Sequence, residues 1–260
     1  MDLLTHIVSG AAVGGTVGHF SPKKNSALIF PVIGGFGGLL PDVDAISLWS
    51  KFDTTIGKWL HLSHPGHVIY SEKFWYSHHG FTHSIFAPVL YGLVFVLFAF
   101  LLKKITIQSY TSWVLPLSAF LLAYWIHLLE DLPTPDGPWG GIRLLFPSTT
   151  YVGGTGQIWW WNNYDIFLLA FSLLIANWII HLLLRKKEIW KTRVSLVYTA
   201  CVFSLIFYQI NHRPFDFTYN GDGVNYEFLE QKSLALQEEI LGPWLYSIMH
   251  SLDQHLPLYF

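Results

Sequence analysis

Four stretches of the chain carry no formal charge over a length that crosses a bilayer: residues 84–102, 105–129, 166–184 and 194–211. A helix of ~19 residues rises ~28 Å, against a hydrocarbon core of ~30 Å. His127 and His181 are the histidines inside these runs. Four such runs in one chain argue against the buried helices of a soluble all-α protein. Two earlier segments, 7–20 and 27–40, are apolar but short and rich in glycine. Small residues let helix backbones approach closely, so these predict a tightly packed pair, spanning or nearly so; the alternative is two half-inserted helices. Beyond residue 225, Phe228, Leu229, Leu236 and Ile240 are spaced for one helical face, and a second helix follows Pro243. The pattern predicts an all-α, multi-pass membrane helical bundle of about six apolar segments over residues 1–212. An amphipathic helical tail over 213–260 is expected to lie on the surface of the bundle or the membrane.

Composition strengthens this reading. Apolar residues make up 52% and charged residues 12%, against roughly 45–50% and 25% in soluble proteins. "WWWNNYD" at 159–165 suits a membrane–water boundary, where indole rings sit at headgroup level. A net charge of −2 leaves no basic footprint for nucleic acid. Cys201, the one cysteine, can form no internal disulfide. The first residues lack the basic region of a signal peptide, so the N-terminus is expected to be kept.

Charge then orients the bundle. Lys23 and Lys24, Lys103 and Lys104, and Arg185, Lys186, Lys187, Lys191 and Arg193 all fall on one side if there are six segments. Positive charge marks the cytoplasmic side. The N-terminus, 41–82, 131–165 and the tail then face outward, although Lys51, Lys58 and Lys73 in the first of these loops run against the rule.

With this topology the polar residues that are costly in lipid meet at one face. His6 opens the first segment there, and Asp42 and Asp44 in "LLPDVD" close the second. His78, His79 and His83 in "HHGFTHS" open the third, and His127 and Asp131 in "HLLED" close the fourth. His127 and Asp131, four apart, share a helical face. Pro41 is expected to end the preceding helix, and Thr82 to cap the next. His6, Asp42, Asp44, His78, His83, His127 and Asp131 offer mixed nitrogen and oxygen ligands for one or two divalent metals, zinc foremost, with manganese and iron also compatible. Glu130 reads equally as a general base or a headgroup-facing acid, because it points about 100° from Asp131 on a helix. Thr134 is either a ligand or substrate contact, or a cap beside Pro133 and Pro135. His19 and His181 read as hydrogen-bonded core residues, and His61, His64 and His67 as a solvated loop.

These blocks resemble the YdjM-type inner-membrane metal-dependent hydrolases, a family regulated in some bacteria by the LexA repressor. Thr5-His6 precedes a small-residue run. "LLPDVD" at 39–44 matches L-P-D-x-D, and "HHGFTHS" at 78–84 is similar to H-R-G-x-T-H-S. "HLLEDLPTPDG" at 127–137 matches H-x-x-x-D-x-x-T-x-x-G, with "LLFP" at 144–147 following. His79 stands where the family has Arg: an extra ligand, a titrating substrate contact or neutral drift. The resemblance implies a metal-dependent hydrolase of the cell inner membrane and names no substrate.

The expected chemistry is hydrolysis at the extracytoplasmic boundary, with Asp44, Glu130, Thr134 and His79 as candidate catalytic groups. The boundary position favours an amphiphilic ester or phosphoester, its head at the metals and its tails in the lipid bilayer. Two rivals stand beside it: a metal-ion transporter, and a non-catalytic scaffold stapled by metal.

Overall fold

A computed structural model of the chain describes residues 1–23, 25–101, 111–219 and 224–256. Lys24, Lys103, Lys104 and the start of the 105–129 run lie outside the described residues. Eight α-helices follow in order: α1 Leu3–Gly18, α2 Ser26–Leu39, α3 Gly66–Ser71, α4 Ala87–Leu101, α5 Thr111–Asp131, α6 Tyr164–Leu183, α7 Glu188–Asn211 and α8 Tyr226–His255. No strand occurs among the described residues; two isolated bridges, Pro135 to Thr155 and Ile142 to Val152, pin the loop after α5. The molecule is an all-α membrane bundle. Among the described residues, four helical stretches are long and apolar enough to cross a membrane: Ser26–Leu48, Trp113–Asp131, Tyr164–Leu183 and Glu188–Asn211. Leu3–Gly18 and α4 are shorter apolar helices.

Of the two glycine-rich segments, weakest in the hydrophobic pattern, α1 forms the centre of the bundle, and α2 packs on it with Leu28, Val32 and Phe36 turned outward. α1 packs against α2, α5, α6 and α7, and every residue from Val8 to His19 is buried. Its surroundings are protein rather than lipid, so small residues serve it better than bulky apolar ones. A Cβ on Gly10 would stand 2.4 Å from Gly34 O, and one on Gly34 would stand 2.1 Å from Gly10 O. One on Gly38 would stand 2.2 Å from His6 O. The α1–α2 contact is therefore backbone against backbone. The outer helices are the reverse: Leu93 and Phe98 of α4 and Phe207 of α7 turn their side chains outward. Such stripes suit a hydrocarbon solvent.

The α-helix ends at Leu39, just before Pro41, as expected, but the chain does not turn there: it tightens into a 3-10 helix, Leu40–Leu48, with Pro41 in its first turn, where a missing N–H costs nothing. Two other local expectations are corrected. Thr82 does not cap α4: it lies in a 3-10 turn, Phe81–His83, and Ser84 Oγ accepts from Ala87 N at 3.2 Å instead. Phe228 is exposed, whereas Leu229 and Leu236 are buried against Trp139, Trp159, Trp160 and Phe217.

The tail is docked on the bundle. α8 bends at Gly242, whose φ of 73° and following Pro243 mark the expected break between two helices. Packing crosses residue 213: Arg213 Nη2 donates to both oxygens of Asp165 at 3.1 Å, and Tyr164 Oη donates to Asp253 at 2.6 Å.

Candidate metal centre

Four elements deliver their polar ends to the face where α1 begins and where α2 and α5 end. Asp2 caps α1 by accepting from Thr5 N at 2.8 Å and Thr5 Oγ1 at 2.6 Å, which places His6 one residue on. Gly38 O accepts from His127 Nδ1 at 2.7 Å. That bond assigns the proton to Nδ1 and leaves the Nε2 lone pair free for a ligand. His6 and His127 stack at 3.7 Å between centroids, an approach that the bare Gly38 backbone between them permits.

Four donor atoms converge. His127 Nε2 is 3.0 Å from Asp131 Oδ2, 3.4 Å from His83 Nε2 and 3.6 Å from Asp42 Oδ1. His83 Nε2 is 3.4 Å from Asp42 Oδ1 and 3.5 Å from Asp131 Oδ2. Ligand atoms ~2.0–2.2 Å from a tetrahedral ion sit about 3.3–3.6 Å apart, so His83 and His127 form one trio near that spacing with Asp42 and another with Asp131. Asp131 Oδ2 is buried with no hydrogen-bond partner among the described residues, as a waiting ligand would be. Two further trios flank this group, His6 with His127 and Asp131, and His78 with His79 and His83. An imidazole nitrogen serves one ion, whereas a carboxylate can bridge two. Asp131 has that geometry: Oδ2 faces His83 and His127, and Oδ1 lies 3.2 Å from His6 Nε2. Met1 N lies 2.8 Å from the same Oδ1.

Several candidates take supporting positions instead. Asp44 is absent from the donor groups because both oxygens are engaged, one 2.8 Å from His78 Nδ1 and the other accepting from Thr82 Oγ1 at 2.5 Å. It orients the histidine loop. Glu130 does not face headgroups: it is buried, absent from the lining of the adjacent cavity, and Oε2 holds His6 Nδ1 at 2.8 Å. Thr134 is the cap of the two readings offered, donating to Asp131 O at 2.6 Å. His79 adopts φ 61°, places Nδ1 3.0 Å from Gly141 O, and turns its ring into the cluster. His61, His64 and His67 are exposed, as expected of a solvated loop. Gly38 and Tyr124, which donates to Thr82 O at 2.5 Å, escaped the sequence reading, as did the role of Thr82 as a partner of Asp44. Tyr124 had one signal, its position a helical turn before His127.

Burial opposes charge on all three loop histidines. At His78 the Asp44 carboxylate outweighs it and raises the pKa. His79, buried and beside His78 and His83, is held well below the usual value. His83 is also lowered, burial exceeding the effect of its Asp42 partner. His79 and His83 therefore keep the neutral form that binds metal.

A cavity of about 1050 Å³ opens on the cluster. Asp42, His78, His79 and Asp131 face it from below. Leu3, Leu4, Val43 and Ile46 line one wall, and Trp139, Trp160 and Trp161 another, with Tyr226 and Glu230 of α8 at the rim.

A family model described as YdjM inner membrane protein matches residues 1–213. No curated protein and no solved structure matches the chain. The match covers α1 through α7 and every residue of the converging His/Asp cluster, and the apolar helices suit a multi-pass protein of the inner membrane. On that extent of agreement, the chain belongs to the YdjM inner membrane protein family.

Proposed function

We propose that this protein is a metal-dependent hydrolase acting on an amphiphilic ester or phosphoester at the extracytoplasmic membrane boundary. The observation that carries the reading is the convergence of Asp42 and Asp131 on His83 and His127 at ligand-like spacing, the two carboxylates lining a cavity that Leu3, Leu4, Val43 and Ile46 also line. Zinc suits this donor set, and manganese and iron are also compatible. A divalent cation held there supplies Lewis-acid polarisation and lowers the pKa of water from ~15.7 towards ~7.

The chain's own residues prepare the site. Gly38 fixes the His127 tautomer, Glu130 orients His6, and Asp44 orients His78 and Thr82. His78 and His79 meet the polar head of the substrate, while Leu3, Leu4, Val43 and Ile46 take its apolar part. The basic residues at the far helix ends support the extracytoplasmic assignment.

A screen of phospholipid and lipid-diphosphate substrates tests the proposal. Turnover is expected to require metal and to vanish in His83→Ala. Turnover indifferent to that change rejects the site.

One observation favours transport as the second reading. The sequence suggests few polar groups deeper in the bundle, yet Thr16, Asn177, Ser195 and Thr199 form a hydrogen-bonded seam between α1, α6 and α7. The seam holds hydroxyls and one amide but no carboxylate, which suits it poorly to a divalent ion. Metal counterflow in liposomes that persists without hydrolytic turnover would favour this alternative.

A further inference from the structure

The far end of α1 carries a second histidine that the metal centre does not use. His19 caps the helix and is 3% exposed; its ring lies close beside Asn177, yet neither ring nitrogen has a partner in good hydrogen-bond geometry among the described residues. His181 of α6 stands beside it with ring centroids 6.2 Å apart, its own Nδ1 buried and equally unpartnered. This differs from the hydrogen-bonded core role expected of both. Buried polar atoms are rarely left unpaired, so three in one place point to a missing ligand. Asn177, the adjacent polar side chain, is already engaged: Nδ2 donates to Ala12 O and Thr16 Oγ1, each at 3.0 Å, and Oδ1 accepts from Ser195 Oγ at 2.6 Å. A cavity of about 170 Å³ lies here, lined by His19 and Asn177 together with Pro31, Ile175 and Trp178. Ile175 and Trp178 are also exposed on the outside of the bundle.

Charge decides what such a cavity accepts. Lys191 is 2% exposed and close enough to act on both imidazoles. Its ammonium is 2.6 Å from Glu188, which is the one acid between residues 181 and 193. Lys23, Arg185, Lys186, Lys187 and Arg193 are exposed at the same helix ends. A cation entering here meets repulsion; an anion meets five exposed basic residues and a buried sixth. Basic pockets between membrane helices are suited to anionic headgroups.

We infer that this end of the bundle binds the phosphate group of an anionic phospholipid. Its phosphate sits in the cavity against His19 and reaches out to His181, which with Lys191 lies outside the lining, and its acyl chains run along Ile175 and Trp178. The cavity has room for the headgroup phosphate and not for the chains, which stay in the bilayer.

Native mass spectrometry of the full chain in detergent, with phosphatidylglycerol or phosphatidylcholine added, tests this. The anionic lipid is expected to be retained about tenfold more strongly than the zwitterionic one. His19→Leu and, at the half-buried position, His181→Leu are each expected to remove that preference. Unchanged metal content at the other end reports that the variants are folded. Equal retention of the two lipids, or indifference to both substitutions, overturns the assignment. Inorganic phosphate is expected not to displace the lipid; displacement would assign the site to the free anion and overturn the lipid.

Discussion

His6 and His19 lie on one helix, both buried, and their surroundings are opposite in sign. Around His6 stand Glu130, Asp131 and Asp42, and the ring nitrogens there face carboxylate or carbonyl oxygens. Around His19 stand His181 and Lys191, and its nitrogens face none. The helix dipole is complemented at both ends, with acids at its start and bases at its finish. An imidazole is thus a neutral adaptor: as an acceptor among carboxylates it suits a cation, and as a donor among ammonium groups it suits an anion. The residue type is the same, and the neighbouring charges choose the ligand.

Substitutions can break this contrast or sharpen it. The largest effect is expected from Gly34→Leu, which forces side-chain atoms into Gly10 O and should cost about 3 kcal/mol or more. Both ends should fail together, seen as lost yield and a lowered unfolding temperature in detergent. A normally folded variant would contradict the α1–α2 contact. Asp131→Ala should act at one end alone. Metal affinity measured by elemental analysis and competition should fall by more than about 100-fold, beyond the loss expected for an outer partner. Phosphatidylglycerol retention should stay at the wild-type level; unchanged metal stoichiometry would remove Asp131 from the ligands. Glu130→Gln keeps the shape but weakens the hold on His6, and about 10–100-fold of metal affinity should go with it. Full affinity in that variant would mean that His6 binds no ion. The smallest change is expected from His181→Leu, about tenfold in anionic-lipid retention with metal content unaltered.

Much of the metal end was legible in the chain. The uncharged runs placed the helices, and the basic clusters gave the direction that brought His6, Asp42, His83, His127 and Asp131 to one face. The supporting partners were hidden for geometric reasons. Helical spacing leaves Glu130 between a general base and a headgroup-facing acid, because it shows only the angle from Asp131; α1 also packs against α5, and Glu130 meets His6 there. Asp44 was grouped with Asp42, but along a 3-10 helix the two carboxylates diverge, one to the donor cluster and one to His78 and Thr82. α1 looked marginal as a membrane segment because hydropathy measures fitness for lipid, and this helix meets almost none. The pair His19 and His181 could not be read from spacing at all: the two lie far apart in sequence, and each alone looks like an ordinary core residue.

Gly38 gives the site a place in the order of synthesis. Its carbonyl holds His127, and its bare Cα lets α1 bring His6 alongside. The His127 contact cannot exist until α5 docks against the α1–α2 hairpin made much earlier. The His/Asp cluster is therefore completed late in the synthesis of the bundle. A ribosome stalled before residue 127 would carry the hairpin with His6 and Asp42 but without the groups that complete the cluster.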